Sequence, residues 1–412
     1  MRAMEEPLRR NPHVQTIAYI EASTRSEPER AKLAGVCRYA RNRGWNIQIL
    51  YRHDVPPDVA AILREYRPVG VVVEASDGED HVPPALFGRT PVVYLDPSAG
   101  AYGGKVSAVR ITDGRTAELA VREFLSLGLR SVAYVGEFIC SSWSETRRME
   151  FVAAAKRAGL ECAAFVSGRG EGDQVAYERD LGEWMRALAP GTGIFAANDR
   201  TASCVLSCCR RLGLAVPAEF AVLGVDNDAN RCENESPKLS SIQIDFENAG
   251  YLAGELLDRL LAAGGGRRRP RLTAEFGPLG VIRRESTNAF PRMSPRISAA
   301  MRLIREKACV GLRARDVAAT VGGSRRLAEI RFREATGKTI LEAIQEARLD
   351  MACTLLANTV KPVSLVATLC GYQSVTALGT VFRRRFGLTM LKWRKAHRPG
   401  ASPANISQMS EK

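Results

Sequence analysis

Asp316-Val-Ala-Ala-Thr-Val-Gly-Gly-Ser324 and Leu365-Val-Ala-Thr-Leu-Cys-Gly-Tyr372 are two writings of one pattern. In the first, Val317-Ala318 leads to Gly322, Ser324, Phe332 and Gly337; in the second, Val366-Ala367 leads to Gly371, Ser374, Phe382 and Gly387. The copies lie about fifty residues apart, with one extra residue between the turn glycine and the phenylalanine in the second. Each reads as a short apolar helix, a glycine turn, a Ser cap and a second helix closed by Phe and Gly, which is a helix-turn-helix. A glycine suits the turn because the left-handed backbone there is resisted by any β-carbon. The amphipathic run Ile340–Leu356 joins the copies, so two helices are expected to be offered to successive turns of one duplex.

Charge agrees. The chain has 412 residues and a formal net charge of +14. From Arg292 to Arg398, 21 Lys/Arg face 7 Asp/Glu, so about a quarter of the chain carries the whole excess. That is the footprint of a phosphate-binding domain attached to a neutral one.

This segment, from about Pro295 to His397, resembles the AraC-type DNA-binding domain. The stretch from Asp316 is similar to that family's first unit, and Leu365–Tyr372 with Phe382-Arg-Arg-Arg-Phe-Gly387 to its second. The pattern departs in three places: Leu378 stands where an aromatic is usual, Gly379 falls inside the second reading helix, and Met390 replaces a proline. A glycine inside a helix costs about 1 kcal/mol relative to alanine, so unequal contributions from the two reading helices are expected. Ser324, Arg325, Arg326 and Arg331 are expected to make most DNA contacts. Gln373, Ser374 and Thr376 form a weaker polar face, and Arg383, Arg384 and Arg385 mainly meet phosphate.

The remaining composition is that of an ordinary soluble protein, 45% apolar and 25% charged. No apolar run approaches the ~20 residues that span a bilayer, and the charged start Met1–Pro12 lacks a signal-peptide core, so a cytoplasmic protein is expected. Ten cysteines occur without a Cys-x-x-Cys pair, and Cys204, Cys208 and Cys209 are read as buried thiols on one helix. The histidines His13, His53, His81 and His397 have no metal-ligand spacing, so no metal and no cofactor are expected.

From Val14 to about Arg284 short β-rich runs alternate with amphipathic helices. Strands are expected at Val14–Ile20, Asn46–Tyr51, Val69–Val73, Pro91–Leu95, Val106–Ile111, Ser131–Val135, Gly193–Ala196 and Phe220–Val225. Alternation of this kind implies parallel sheets flanked by helices. The length argues for two sheet lobes around a cleft, with a split near Thr112-Asp113. Four motifs follow in order: Phe195-Ala-Ala-Asn-Asp199, Val216-Pro217, Val222-Leu-Gly-Val-Asp-Asn-Asp228 and Leu239-Ser-Ser-Ile242. Together they resemble the LacI-type sugar-binding regulators, which use the periplasmic-binding-protein fold inside the cell. Met1–Pro12 is too short for that family's N-terminal DNA-binding headpiece.

The resemblance implies that Arg147, Asn198 and Asp226 contact a sugar, and more weakly Asp96; Arg147 is placed by its spacing to Phe151. These types fit the chemistry, since carboxylates accept from adjacent hydroxyls, Asn both donates and accepts, and Arg donates a planar fork. Trp143 is a candidate platform for the ring face or, equally, a core residue, and Asn198 and Asp226 are also turn formers. Asp199 is expected to cap its helix. Gly100-Ala-Tyr-Gly-Gly-Lys-Val106 imitates a phosphate loop but lacks the leading glycine and the closing Ser/Thr. Arg267-Arg-Arg-Pro-Arg271 is read as a solvated loop, and no enzyme motif is present.

The sequence therefore predicts a two-lobed α/β periplasmic-binding-protein-like domain over 13–285, a linker over 286–295 and an all-α double helix-turn-helix domain over 296–398. A disordered lead 1–12 and tail 399–412 flank them. The expected function is a non-enzymatic transcription regulator, an activator, controlled by xylose or another monosaccharide. Its partners would be operator DNA, a second copy of the chain and RNA polymerase, without a membrane. The alternatives are a carbohydrate-acting enzyme or solute-binding protein with a basic tail. An RNA-binding protein is disfavoured because no aromatic stacking platform is visible.

Overall fold

The computed structural model describes residues 15–21, 26–51, 59–74, 82–97, 102, 105–138, 141–166, 174–263, 270–288, 294–359 and 361–397. The expected lead and tail, most of the phosphate-loop imitation, Arg267–Arg269 and positions 289–293 of the linker lie outside them. Contacts divide the chain into two compact units, 1–111 with 245–276, and 112–244 with 277–412.

The first unit runs β1 (Thr16–Glu21), α1 (Glu27–Arg43), β2 (Asn46–Tyr51), α2 (Val59–Tyr66), β3 (Gly70–Glu74), β4 (Val92–Leu95) and β5 (Ser107–Ile111). The second takes over with α3 (Asp113–Ser126), β6 (Ser131–Val135), α4 (Ser142–Arg157), β7 (Glu161–Phe165), α5 (Gln174–Arg186) and β8 (Thr192–Ala196). It continues through α6 (Asp199–Leu212), β9 (Phe220–Val225), α7 (Ala229–Asn234) and β10 (Ser240–Ile244). The chain then returns to the first unit for α8 (Phe246–Ala262) and β11 (Thr273–Phe276), and re-enters the second at β12 (Pro278–Ile282).

Each unit holds a six-stranded sheet, in the orders β11-β5-β4-β3-β1-β2 and β12-β10-β9-β8-β6-β7. All pairings are parallel except β10 with β12. Central strands such as β3 and β8 are buried at every position, as expected where helices cover both faces. Strand β7, with an exposed pattern and no β-branched residue, stands at the edge. In the first unit α1 lies on α8 nearly backbone to backbone. A β-carbon at Gly35 would come 1.9 Å from the Glu247 carbonyl, and one at Gly250 1.8 Å from that of Lys32.

The linker begins later than residue 286. Ser286 and Thr287 sit in a short 3-10 turn and are fully buried, because Ser286 Oγ donates to the Val222 carbonyl at 2.7 Å and Thr287 Oγ1 to Ser240 Oγ at 2.8 Å. Beyond it come α9 (Pro295–Lys307), α10 (Ala314–Val321), α11 (Arg325–Thr336), α12 (Ile340–Asn358), α13 (Val363–Leu369), α14 (Val375–Phe386) and α15 (Met390–His397). They form two small cores. Ile340, Ala343 and Ile344 of α12 close one around Phe332, and Leu349, Ala352 and Leu356 close the other around Phe382. Arg348 on the same helix donates to the carbonyls of Ala308 at 2.7 Å and Leu312 at 3.1 Å. Its guanidinium lies 5.7 Å from the Tyr372 ring centroid, so one side chain touches both halves.

Candidate functional site

The sheet of the second unit ends in a group of polar side chains at the carboxyl ends of β6, β8 and β9, the usual ligand position in open parallel sheets. Arg147 lies one turn before the fully buried Phe151 on α4 and is itself 4% exposed. Its Nε donates to Asp113 Oδ1 at 2.8 Å, and its Nη1 to the Ala197 carbonyl at 2.5 Å. Its guanidinium carbon stands 5.2 Å from the Trp143 ring centroid. Burial opposes its charge, but Asp113 and then Asp226 outweigh that and hold it more firmly protonated than an ordinary arginine. A guanidinium buried without such partners would be very costly.

Asn198, not Asp199, is the N-cap of α6, which corrects the sequence expectation. Its extended backbone has the cap geometry, and its Oδ1 accepts the Thr201 N–H at 2.9 Å. Its Nδ2 donates to Glu137 Oε1 at 3.4 Å. Asp199, already inside the helix and 1% exposed, points inward instead. Its Oδ1 accepts Ser241 Oγ–H at 2.6 Å, and its Oδ2 accepts the Asp228 N–H at 2.8 Å and the Cys232 thiol at 3.4 Å. Gly224 makes room for it, since a β-carbon there would lie 2.2 Å from Oδ1. Burial pushes the Asp199 carboxyl up to about 7, against those donors.

Asp199 thereby holds the loop that carries Asp226. The Asn227 N–H donates to Ser241 Oγ at 3.0 Å, and Arg284 Nη2 donates to Asn227 Oδ1 at 2.9 Å. Asp226 and Asn227 have φ of 106° and 59°. Such conformations cost of order 1–3 kcal/mol for a non-glycine residue and persist where the surroundings over-determine them. The structure thus places Trp143, Arg147, Asn198 and Asp226 in one neighbourhood of the second unit. Asp96 lies in the first unit after β4, with φ 51° and Oδ1 accepting the Ile111 N–H at 3.0 Å.

Sequence reasoning missed Asp113, Glu137 and Arg284. Asp113 and Glu137 carried a readable signal, since each follows a strand end as Asn198 does. Burial pushes the Glu137 carboxyl up. In the first unit it also missed the Lys32–Glu74 pair, 3.2 Å apart, with Glu74 1% exposed. Among the described residues no group of three or more His, Cys, Asp or Glu is placed to hold a metal, and no helix is long and apolar enough to cross a membrane.

The two helix-turn-helix units are built alike. Ser324 Oγ accepts the Leu327 N–H at 3.2 Å at the start of α11, and Ser374 Oγ accepts the Ala377 N–H at 3.1 Å at the start of α14. The turn glycines Gly322 and Gly371 have φ of 80° and 76°. A β-carbon at Gly371 would also meet the Cys309 carbonyl at 2.8 Å. Ser324, Arg325, Arg326 and Arg331 are exposed on or before α11. Gln373, Ser374, Thr376, Arg383, Arg384 and Arg385 are exposed along the second unit.

Residues 121–287 match the periplasmic binding protein-like domain model, and residues 317–396 a helix-turn-helix domain model. The class is a periplasmic-binding-protein-like α/β domain followed by a double helix-turn-helix domain. Particular proteins of that build to which the chain is similar are the xylose operon regulatory proteins. It is 34% identical to that of Escherichia coli K12 over 236 residues, covering 57% of this chain and 58% of the relative. It is 29% identical to that of Haemophilus influenzae, covering 67% of this chain and 72% of the relative. A solved structure of a xylose-binding transcription activator, XylR, superposes with a TM-score of 0.57 at 25% identity, over 94% of this chain and 99% of the other. The alignment thus spans just over half the length of the Escherichia coli relative.

Proposed function

We propose that the protein is a transcription activator whose operator binding is controlled by a monosaccharide, with xylose as the effector suggested by its relatives. The observation that carries the reading is the union, in one unit, of a buried Arg147–Asp113 pair facing Asp226 and two capped helices exposing arginines. In this reading Arg147 and Asp226 bind adjacent hydroxyls, Asn198 donates and accepts, and Trp143 covers the apolar ring face. The protein works without turnover, in the cytoplasm, as a homodimer that can meet RNA polymerase on paired half-sites. Buried thiols support a reducing compartment: Cys208 and Cys209 lie in the core with raised pKa, Cys209 up to about 12.

A thermal-shift screen of pentoses and hexoses on the full chain, D-xylose first, tests the effector. One sugar should stabilise the wild type, and stabilisation by none of them would remove the sensor reading. Asp226→Asn keeps a residue that tolerates positive φ while discarding the charge. It should weaken that sugar's binding by about 1.5–3 kcal/mol, the range for a hydrogen bond to a charged group. Its sugar-free affinity for DNA should stay at the wild-type level. Light scattering should give twice the chain mass; a monomer both free and on DNA would remove the dimer.

A further inference from the structure

Helix α3 ends against the reader. Glu123, near its C-terminus, is 2% exposed and meets two guanidiniums: Arg283 Nη2 at 2.9 Å and Arg305 Nη2 at 3.0 Å. Arg283 leaves β12, whereas Arg305 belongs to α9, the first helix of the DNA-binding segment. Arg305 also donates to Ser126 Oγ on α3, and to the carbonyl of Thr287 at 3.3 Å. Burial alone would raise the Glu123 carboxyl, but Arg305 and then Arg283 overcome it and hold the group below its usual range. A second contact lies beside it, where Gly280 on β12 lets α12 approach; a β-carbon there would stand 3.3 Å from Thr354 Cγ2.

The other end of α3 begins with Asp113, the partner of Arg147. Ten residues at 1.5 Å each place Glu123 about 15 Å further along the same helix. A helix is stiff over that length, so a displacement of its N-terminal carboxylate moves its C-terminal one. The route through the loop is parallel. Asn227, next to Asp226, is held by Arg284, which stands three residues before the Thr287 carbonyl that accepts from Arg305.

We infer that Glu123 and Arg305 are the positioning pair that fixes the reader on the sensor's second unit and makes its pose follow the state of Arg147. Neither residue touches sugar or DNA; they act through α3 and α9. An ion pair suits the task because Glu123, already held by Arg283, takes on the Arg305 guanidinium only in the docked geometry, so the contact is specific to that pose. This inference rests on the proposed function for its ligand, but the docking itself does not.

The test uses the full chain as wild type, Arg305→Met and Arg305→Lys. Arg305→Met removes the reader's half while Glu123 stays paired with Arg283, so the sensor should fold. Hydrogen exchange across 295–307 without any ligand reads docking: Arg305→Met should exchange at least about tenfold faster, roughly 1.4 kcal/mol of local opening, and Arg305→Lys much less. Unchanged exchange in Arg305→Met overturns the inference whatever the sugar does. Affinity for a duplex that the wild type selects from a random pool, with and without D-xylose, reads coupling. The wild-type ratio should fall towards one in Arg305→Met, while D-xylose binding itself is unchanged and Arg305→Lys keeps most of the ratio. A wild-type ratio retained in Arg305→Met overturns it too. A wild type that binds the duplex but ignores every sugar sinks the effector reading instead, and exchange then decides the docking alone.

Discussion

Along α11 and α14, positions fifty apart have the same exposure almost residue for residue. Ala328 and Phe332 are buried in one helix as Leu378 and Phe382 are in the other, and the cap serines and closing glycines coincide. What the exposed positions carry differs. In α11 the first two turns present Arg325, Arg326, Leu327, Ile330 and Arg331, whereas in α14 they present Val375, Thr376, Ala377 and Thr380, with no cation among them. The second helix gathers Arg383, Arg384 and Arg385 in its last turn, where the partial negative charge of the helix end favours cations. One framework therefore serves two tasks. Side chains at the start of a reading helix reach base edges, and those at its end reach the flanking phosphates. On the proposed function, the first copy would read sequence and the second would hold the duplex.

The strongest way to break this comparison is the double change Arg325→Ala with Arg326→Ala. Each arginine that reads a guanine is worth about 1–3 kcal/mol of discrimination, so the pair, at about 2–6 kcal/mol together, should lose at least about 30-fold in affinity and relax specificity at two neighbouring positions. The corresponding double change at Val375 and Thr376 should cost far less. Equal losses in electrophoretic-mobility titrations would show that the copies share the reading.

Arg384→Ala comes next. A phosphate contact carries no sequence information, so affinity should fall alike on selected and scrambled duplexes. The slope of log affinity against log salt should drop by about one unit. A loss confined to the selected duplex would move Arg384 among the base readers.

The reader was legible because its signal is local. A cap serine, a turn glycine and a closing glycine each answer a backbone demand at fixed spacing, and a repeat states them twice. The sensor was legible where strands are buried on both faces, as at β3, β8 and β9. It was not where apolar content is thin: β7 reads Glu-Cys-Ala-Ala-Phe, β10 reads Ser-Ser-Ile-Gln-Ile, and α7 has six residues. Within the site, Arg147 could be picked by its spacing to Phe151, but its partner Asp113 lies 34 residues away and only the fold joins them. The exchange of roles between Asn198 and Asp199 has the same origin. Either residue can cap a helix, and the choice was made by Ser241 and Gly224, which the chain brings in from elsewhere.

The smallest expected effect tests the departures in the second copy. Gly379 sits mid-helix with an ordinary helical φ, at the position that Glu329 holds in α11. A β-carbon there would find Met390 Cε at 3.6 Å, an ordinary contact, so nothing within the fold forbids a side chain. Met390 is itself 6% exposed and packs with Leu378 and Phe382, so the unusual residues share one core. Gly379→Ala should therefore stabilise the domain by about 0.5–1 kcal/mol, the helix-propensity difference between the two residues. Denaturant titration of the full chain would register this as a later transition in the C-terminal segment. If DNA binding is unchanged, the glycine is a tolerated weakness of a helix that need not read bases. If the variant is more stable yet binds the duplex less well, the glycine is there for close approach of α14 to DNA, and the division of labour between the copies is narrower than their charges imply.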